Sequence, residues 1–271
     1  MTDVGEKVAV FMAADENEIK CEYEPEDKGW EADLAGSGKK LGDNLGSKPD
    51  ATCKKEVSST SFPSQAHHLI PTSRLNPDAK GASKTRPHEI HNFLVEGDVL
   101  YSDTNYDINS KNNGKWMPYA HRLKEWVPKT EVTARTAGLT KAESKKLKIQ
   151  ILEDNTDLMS LVMQKSNIQI HQGSHSYEKY GKGESGYLTR VNLYLDKVSN
   201  NAISHFAGER PCEDCNGKAN DGLYPPRSNT VRFVEKVSSF IEADINQCRI
   251  FVSEAASNFH EDYGFITEEE A

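Results

Sequence analysis

The second half of the chain places apolar residues at helical spacing in three long stretches. The first predicted helix begins near Thr140, because Thr140 and Glu143 match a capping box. Its apolar residues are Leu147, Ile151, Leu158, Leu161 and Val162.

Two further helices are predicted over residues 185–206 and 229–258, each with one apolar face. The face of the former consists of Leu188, Val191, Leu195, Val198, Ala202 and Phe206. The face of the latter consists of Phe233, Val237, Phe240, Ile241, Ile245, Cys248 and Phe251.

The first half of the chain contains short apolar pieces separated by breakers. Two short strands around a polar turn are predicted over residues 7–24. A loop with a short helix and few core residues is predicted over residues 26–59. Short strands or turns are expected over residues 62–118, which are interrupted by Pro63, Pro71, Pro77 and Pro87.

The pattern as a whole predicts an α+β fold that is mostly helical, with a small irregular β element. We divide the chain into an N-terminal extension (1–58), a core (59–206) and a C-terminal part (207–271) with a cysteine-containing loop and a helix. Within the core, a helical insertion is expected at about 119–165.

Composition favours a soluble globular protein, since 36% of the 271 residues are hydrophobic and 28% are charged. No apolar run reaches the roughly 18 residues of a membrane-spanning helix, and no signal peptide is predicted. The odd number of cysteines, five, also favours a reducing compartment, the cytoplasm of the producing cell.

The net charge of −9 argues against a protein that binds nucleic acid with its whole surface, because Lys and Arg supply most of the affinity for phosphates. Acidic residues concentrate at 15–26 and 254–270, whereas residues 124–148 are basic. This uneven distribution is compatible with a local basic cleft that binds DNA.

The strongest chemical signal is the paired histidines of the segment Ala66-His67-His68-Leu69-Ile70-Pro71. Their position before a short apolar run and a proline suits a strand that enters a turn. Side chains alternate across a strand, so one imidazole can face a metal and the other a substrate. The alternative is a pair of half-exposed surface histidines.

Two weaker signals follow along the chain. Asn113-Gly114 indicates a turn, and in isolation an ordinary polar one. His171 and His175 are four positions apart, so on a helix they would ligate one metal together. Gly173 between them favours the start of a helix instead, and two polar surface histidines are the alternative.

In this order the three patterns resemble the AHH family of the HNH/endonuclease VII (His-Me finger) nuclease superfamily. Its members look like toxin domains used in conflict between bacteria. The resemblance covers roughly residues 59–196, about half the chain. It implies a small ββα-metal core embedded in the helices.

The resemblance also implies roles for single residues. His68 would be the general base, which suits a side chain that titrates near neutrality, and Asn113 would orient its imidazole. His67, His171 and His175 would bind one divalent ion. Three imidazoles favour Zn²⁺ or Ni²⁺, whereas Mg²⁺ or Mn²⁺ would suit a site with one histidine, so the metal stays open.

The segment between Asn113 and His171 is much longer than in compact HNH motifs, and it holds the basic stretch. A helix pair there is expected to contact DNA phosphates, and the alternative is a solvated helical face. The expected contacts are Arg122, Lys124 and Lys129, with Arg135 and Lys141. His121 and His205 are spare candidates for the metal site.

Cys212 and Cys215 form a Cys-x-x-Cys pair in a loop. A structural zinc site needs four ligands. Cys248 and His260 would complete it, and Cys53 or Cys21 would also be able to contribute. We favour a pair of free or redox-active thiols over this zinc site.

Three functions fit these observations. The first is a DNA-cleaving antibacterial toxin of low sequence specificity, delivered without a signal peptide into the cytoplasm of a target cell. Its partners would be a cognate immunity protein and a secretion-system adaptor, with no membrane insertion. The second is an RNA-cleaving toxin of the same fold, and the third is a non-catalytic metal-binding interaction module.

Overall fold

The computed structural model describes residues 31–48, 52–55, 58–61, 64–79, 87–97, 99–100, 102–119, 137–144, 147, 156–171, 186–208 and 226–265. Within these ranges the α-helices with both ends described are α1 (Gly38–Leu45), α2 (Thr72–Leu75), α3 (Thr156–Ser166), α4 (Tyr187–Gly208), α5 (Ser228–Asn246) and α6 (Glu254–Asp262), and residues 141–144 are also helical. The strands are β1 (Thr52–Lys55), β2 (Ser58–Ser61), β3 (Ser64–His68) and β4 (Gly114–Pro118). Short 3₁₀ helices cover Glu89–Phe93 and Lys111–Asn113.

This element order confirms the predicted α+β fold with mostly helical content. The strands form two small sheets: β1 pairs antiparallel with β2, and β3 pairs with β4. The backbone N–H of Leu69 donates to the carbonyl of Asn113 at 2.9 Å, which sets the end of β3 beside the start of β4. Among the described helices, none is long and apolar enough to cross a membrane.

The chain divides into two compact units. The first takes the described residues of Met1–Leu41, His68–Gly114 and Thr189–Ile241, and the second those of Gly42–His67, Lys115–Leu188 and Glu242–Ala271. In the first unit, α4 and α5 bury their apolar faces. The fully or nearly fully buried residues there include Val191, Leu195, Val198, Val234, Val237 and Ile241.

In the second unit, α3 and α6 share a hydrophobic cluster. Its buried members are Met159, Val162, Met163, Ile170, Ala256, Phe259 and Phe265. The buried side chain of Gln169 binds three backbone groups of the same unit. It donates to the carbonyls of Ile245 and Ile250 and accepts from the N–H of Val252. The three distances are 2.8, 2.9 and 3.0 Å.

The capping box at Thr140 is confirmed. The Glu143 carboxylate accepts from the backbone N–H and the hydroxyl of Thr140 at 2.9 and 2.6 Å, and the N–H of Glu143 donates to that hydroxyl at 3.3 Å. The second predicted helix is confirmed as α4, which buries the expected positions from Leu188 to Ala202.

The prediction of one helix over 229–258 is wrong, because α5 ends at Asn246 and α6 begins at Glu254. Cys248 takes a left-handed backbone conformation (φ 53°), and the N–H groups of Arg249 and Ile250 turn back to the carbonyl of Asp244. The Ser253 side chain then accepts from the N–H of Ala256 at 3.1 Å and starts α6. Helix periodicity alone does not reveal such a local closure.

The region predicted as a loop with a short helix contains that helix as α1, whose Leu41 is fully buried. It also contains the hairpin strands β1 and β2, which the sequence pattern did not indicate. The predicted strands over residues 7–24 lie outside the described residues.

Candidate nuclease site

The half-buried side chain of His68 stands at the end of β3. Its Nε2 lies 3.2 Å from the side-chain oxygen of Asn109. Burial lowers the pKa of His68 below its usual range, against the opposite effects of the Asn109 contact and the Asp107 charge. The imidazole is thus held largely in its neutral form near pH 7, which is the form that accepts a proton.

Asn113, the expected orienting residue, is fully buried and serves the backbone instead. Its side-chain oxygen accepts from the N–H of Ile70 at 2.7 Å and from the Ser238 hydroxyl at 2.9 Å. Its amide nitrogen donates to the carbonyls of Ile70 and Ile108 at 3.2 and 3.0 Å. Asn113 therefore fixes the chain two residues after His68 rather than the imidazole itself.

The contact to the His68 imidazole thus comes from Asn109, which sequence reasoning missed. The one local signal was the turn in which the N–H of Asn109 donates to the Asp107 carboxylate at 2.7 Å. Such turns are common at Asp residues, and nothing in the turn itself points toward a histidine.

The side chain of His67 is buried in the second unit, with 3% of its surface exposed. Its Nε2 lies 3.2 Å from the hydroxyl of Tyr187, and its ring centre lies 4.6 Å from that of His171. His171 is held against the end of β4, because its N–H donates to the carbonyl of Pro118 at 2.7 Å. Its ring stacks on Tyr119 with 5.5 Å between the centres.

The His67 and His171 rings are close enough to reach one metal ion, with 4.6 Å between their centres, and they meet edge to face. Burial lowers the pKa of His171 to about 4, so this imidazole is neutral at physiological pH. A neutral imidazole is the form that ligates metals.

A complete metal-binding cluster is not present among the described residues, which contain no group of three or more suitably placed His, Cys, Asp or Glu side chains. The expected third ligand, His175, lies outside them. So do the predicted phosphate contacts Arg122, Lys124 and Lys129 and the Cys212–Cys215 pair.

Comparison with known protein families adds a match over residues 52–205, more than half of the chain. The matching family is described as a nuclease family of the HNH/ENDO VII superfamily with conserved AHH. This chain belongs to the AHH nuclease family. Its Ala66-His67-His68 matches the AHH sequence in the description of the family.

Membership of the AHH family makes the chain a nuclease of that superfamily, acting on nucleic acid. The matched range includes His67, His68, Asn109, Asn113 and His171. It excludes Ser238, which bonds to Asn113, and residues 31–48, which precede it. Searches of curated proteins and of solved structures found no significant match.

Proposed function

We propose that this AHH nuclease is a metal-dependent endonuclease that hydrolyses phosphodiester bonds of DNA with little sequence specificity and acts as an antibacterial toxin. The observation that carries the proposal is the half-buried His68 imidazole, in contact with Asn109 at the end of β3. The low specificity is supported by the lack of a base-reading motif in the sequence.

His68 is the general base of the proposed reaction. Hydrolysis requires a water to attack the phosphorus in line with the leaving oxygen and to lose its proton as it does so. His68 keeps part of its surface exposed, whereas Asn113 is fully buried. Asn113 contributes by fixing the backbone of Ile70.

His67 and His171, with His175, are the proposed ligands of one divalent ion. When bound, the ion would act as a Lewis acid and stabilise the charge that develops on the phosphate. Coordination by all three imidazoles would favour Zn²⁺ or Ni²⁺, and coordination by fewer would favour Mg²⁺ or Mn²⁺. The spacing of the His67 and His171 rings and the neutral state of His171 support this ligand pair.

The proposed toxin would reach the cytoplasm of a rival cell through a dedicated secretion system and its adaptor. The resemblance of the family to toxin domains supports this role. A nuclease made in the producer's cytoplasm endangers the producer's own DNA, so a tightly binding immunity protein is the expected partner. Arg122, Lys124 and Lys129 are proposed to bind DNA phosphates.

The experiment is cleavage of supercoiled plasmid by wild type, His68→Ala and the control His91→Ala. His91 is half-buried, its ring donates to the carbonyl of Leu75 at 2.6 Å, and it has no role in the proposed reaction. Each protein is assayed with EDTA, Mg²⁺, Mn²⁺, Ni²⁺ or Zn²⁺, and its fold is checked by circular dichroism. The same proteins are then expressed in a bacterial host to follow growth and DNA integrity.

Metal-dependent nicking by wild type and His91→Ala, with a roughly 10²- to 10⁴-fold loss in folded His68→Ala, is the expected result. Cleavage of RNA but not plasmid would replace the substrate by RNA. If His68→Ala unfolds or loses its metal, and none of the proteins cleaves DNA or RNA, the results would favour a non-catalytic metal-binding module over a nuclease. Equal cleavage by all three proteins would refute His68 as the base.

A further inference from the structure

The segment of residues 33–37, which we name the N-terminal strap, is hydrogen-bonded to the side chain that contacts His68. We propose that Asn109 is the positioning residue of the His68 base and that the strap locks Asn109 in the one orientation that leaves Nδ1 of His68 as the proton acceptor. The inference rests on the proposed role of His68 and adds to it a structural device outside the family-matched range of 52–205.

The strap determines which end of the Asn109 amide faces His68. The backbone N–H of Ser37 donates to the Asn109 side-chain oxygen at 2.8 Å. The amide nitrogen of Asn109 donates to the carbonyl of Ala35 at 3.1 Å and lies 3.4 Å from the carboxylate of Asp33. Rotating the amide by half a turn would set donor against donor and acceptor against acceptor, so both bonds would be lost.

The locked amide in turn determines the tautomer of His68. An amide oxygen only accepts hydrogen bonds, so the ring atom 3.2 Å from it, Nε2 of His68, must carry the hydrogen. A neutral imidazole has a single N–H group, and Nδ1 therefore holds the lone pair. The proton of the attacking water is accordingly taken up at Nδ1.

The strap is itself docked firmly in the first unit. The N–H of Asp33 donates to the carbonyl of Tyr106 at 3.0 Å, and the N–H of Ile108 donates to the carbonyl of Asp33 at 2.9 Å. These bonds join the strap to the stretch that leads into Asn109. Leu34, the residue after Asp33, is buried with 7% of its surface exposed.

Gly36 allows the strap to approach the chain that follows His68. A Cβ added at Gly36 would lie 2.9 Å from the Cβ of Thr72, closer than real Cβ atoms come. Thr72 is β-branched and stiff, so it cannot easily move aside. The strap therefore touches the chain after His68 as well as Asn109.

The test compares four full-length proteins: wild type, Asn109→Ala, Ser37→Pro and Ser37→Ala. Proline at position 37 removes the N–H that bonds to Asn109, and it also removes the hydroxyl that accepts from the N–H of Lys40 at the start of α1. Alanine removes the hydroxyl alone, so Ser37→Ala is the matched control. Histidines are labelled with ¹⁵N, and the His68 ring signals are assigned by their loss in His68→Gln.

We expect Nε2–H as the His68 tautomer in wild type, with an N–H resonance protected from solvent exchange. This protection is expected to persist in Ser37→Ala and to disappear in Asn109→Ala and Ser37→Pro. In the cleavage assay the latter two variants are expected to lose kcat roughly 10- to 100-fold, the usual size of such supporting contacts, with KM unchanged.

If the His68 ring of the wild-type protein carried its hydrogen on Nδ1, that result alone would overturn the inference. Persistence of the protected resonance in Asn109→Ala would do so as well, as would its equal loss in Ser37→Ala and Ser37→Pro. The tautomer is measured on the His68 ring itself and does not depend on activity. If none of the proteins cleaved nucleic acid, the proposed function would be refuted, and the NMR result would still show whether Asn109 holds the His68 ring.

Discussion

Asn113→Ala distinguishes a structural from a chemical role for the asparagine that the AHH pattern singles out. The side chain of Asn113 is fully buried and makes four hydrogen bonds. Three of them go to backbone groups, the N–H and carbonyl of Ile70 and the carbonyl of Ile108, and one comes from the hydroxyl of Ser238. Alanine removes all four at once.

The magnitude follows from the groups left behind. An unsatisfied buried polar group costs about 1–3 kcal/mol, and three backbone groups lose their partner. The Ser238 hydroxyl can rotate, and partial relaxation reduces the sum, so we expect a loss of about 3–5 kcal/mol in the free energy of unfolding. That loss corresponds to a fall in Tm of roughly 6–20 °C for a protein of this size class.

The assay is urea and thermal denaturation of wild type, Asn113→Ala and the neighbouring Asn112→Ala. Asn112 is exposed, and its amide donates to the carboxylate of Glu235 at 3.0 Å on the surface. Its replacement is expected to change the free energy of unfolding by less than about 0.5 kcal/mol. The two variants therefore differ in burial and not in the deleted group.

The reasoning is refuted if Asn113→Ala unfolds like wild type. If that stable variant also lost its nuclease activity, Asn113 would act on the imidazole or the substrate after all, as the family pattern suggested. A destabilised variant that regains activity when cooled well below its Tm would instead fix its role in the backbone around Ile70.

Three further predictions concern the rest of the chain. Gln169→Leu removes three buried hydrogen bonds near the end of α5 and is expected to lower the free energy of unfolding by about 2–4 kcal/mol in urea denaturation. An unchanged free energy of unfolding, or an equal loss in the exposed control Gln164→Leu, would contradict this prediction. His171→Ala is expected to lose bound divalent metal in equilibrium dialysis, and an unchanged metal content would remove it as a ligand. Hydrogen bonds from Thr140 lower the pKa of Glu143 below 4.5. The contribution of this cap to folding stability is therefore complete above pH 4.5 and is lost as the pH falls through the lowered pKa. Thr140→Val should therefore raise the pKa of Glu143 toward 4.5 in an NMR titration.

Local patterns in the sequence predicted the features that depend on neighbouring residues. The capping box of Thr140 and Glu143 and the buried stripe of α4 were both predicted, because each involves positions within a few residues along one helix. The break between α5 and α6 was missed, since the apolar spacing continues through Cys248 while the backbone there turns left-handed.

The sequence by itself determined the family, because the pair His67-His68, then Asn113, then His171 and His175 stand in the order of the AHH pattern. Only the tertiary structure decided which asparagine contacts the imidazole of His68. Asn109 and Asn113 are four residues apart in one polar turn, and local chemistry treats them alike. Asn113 is held by Ile70 and Ser238, and Asn109 is held by Ser37, some 70 positions away, through bonds that exist only once the chain has folded.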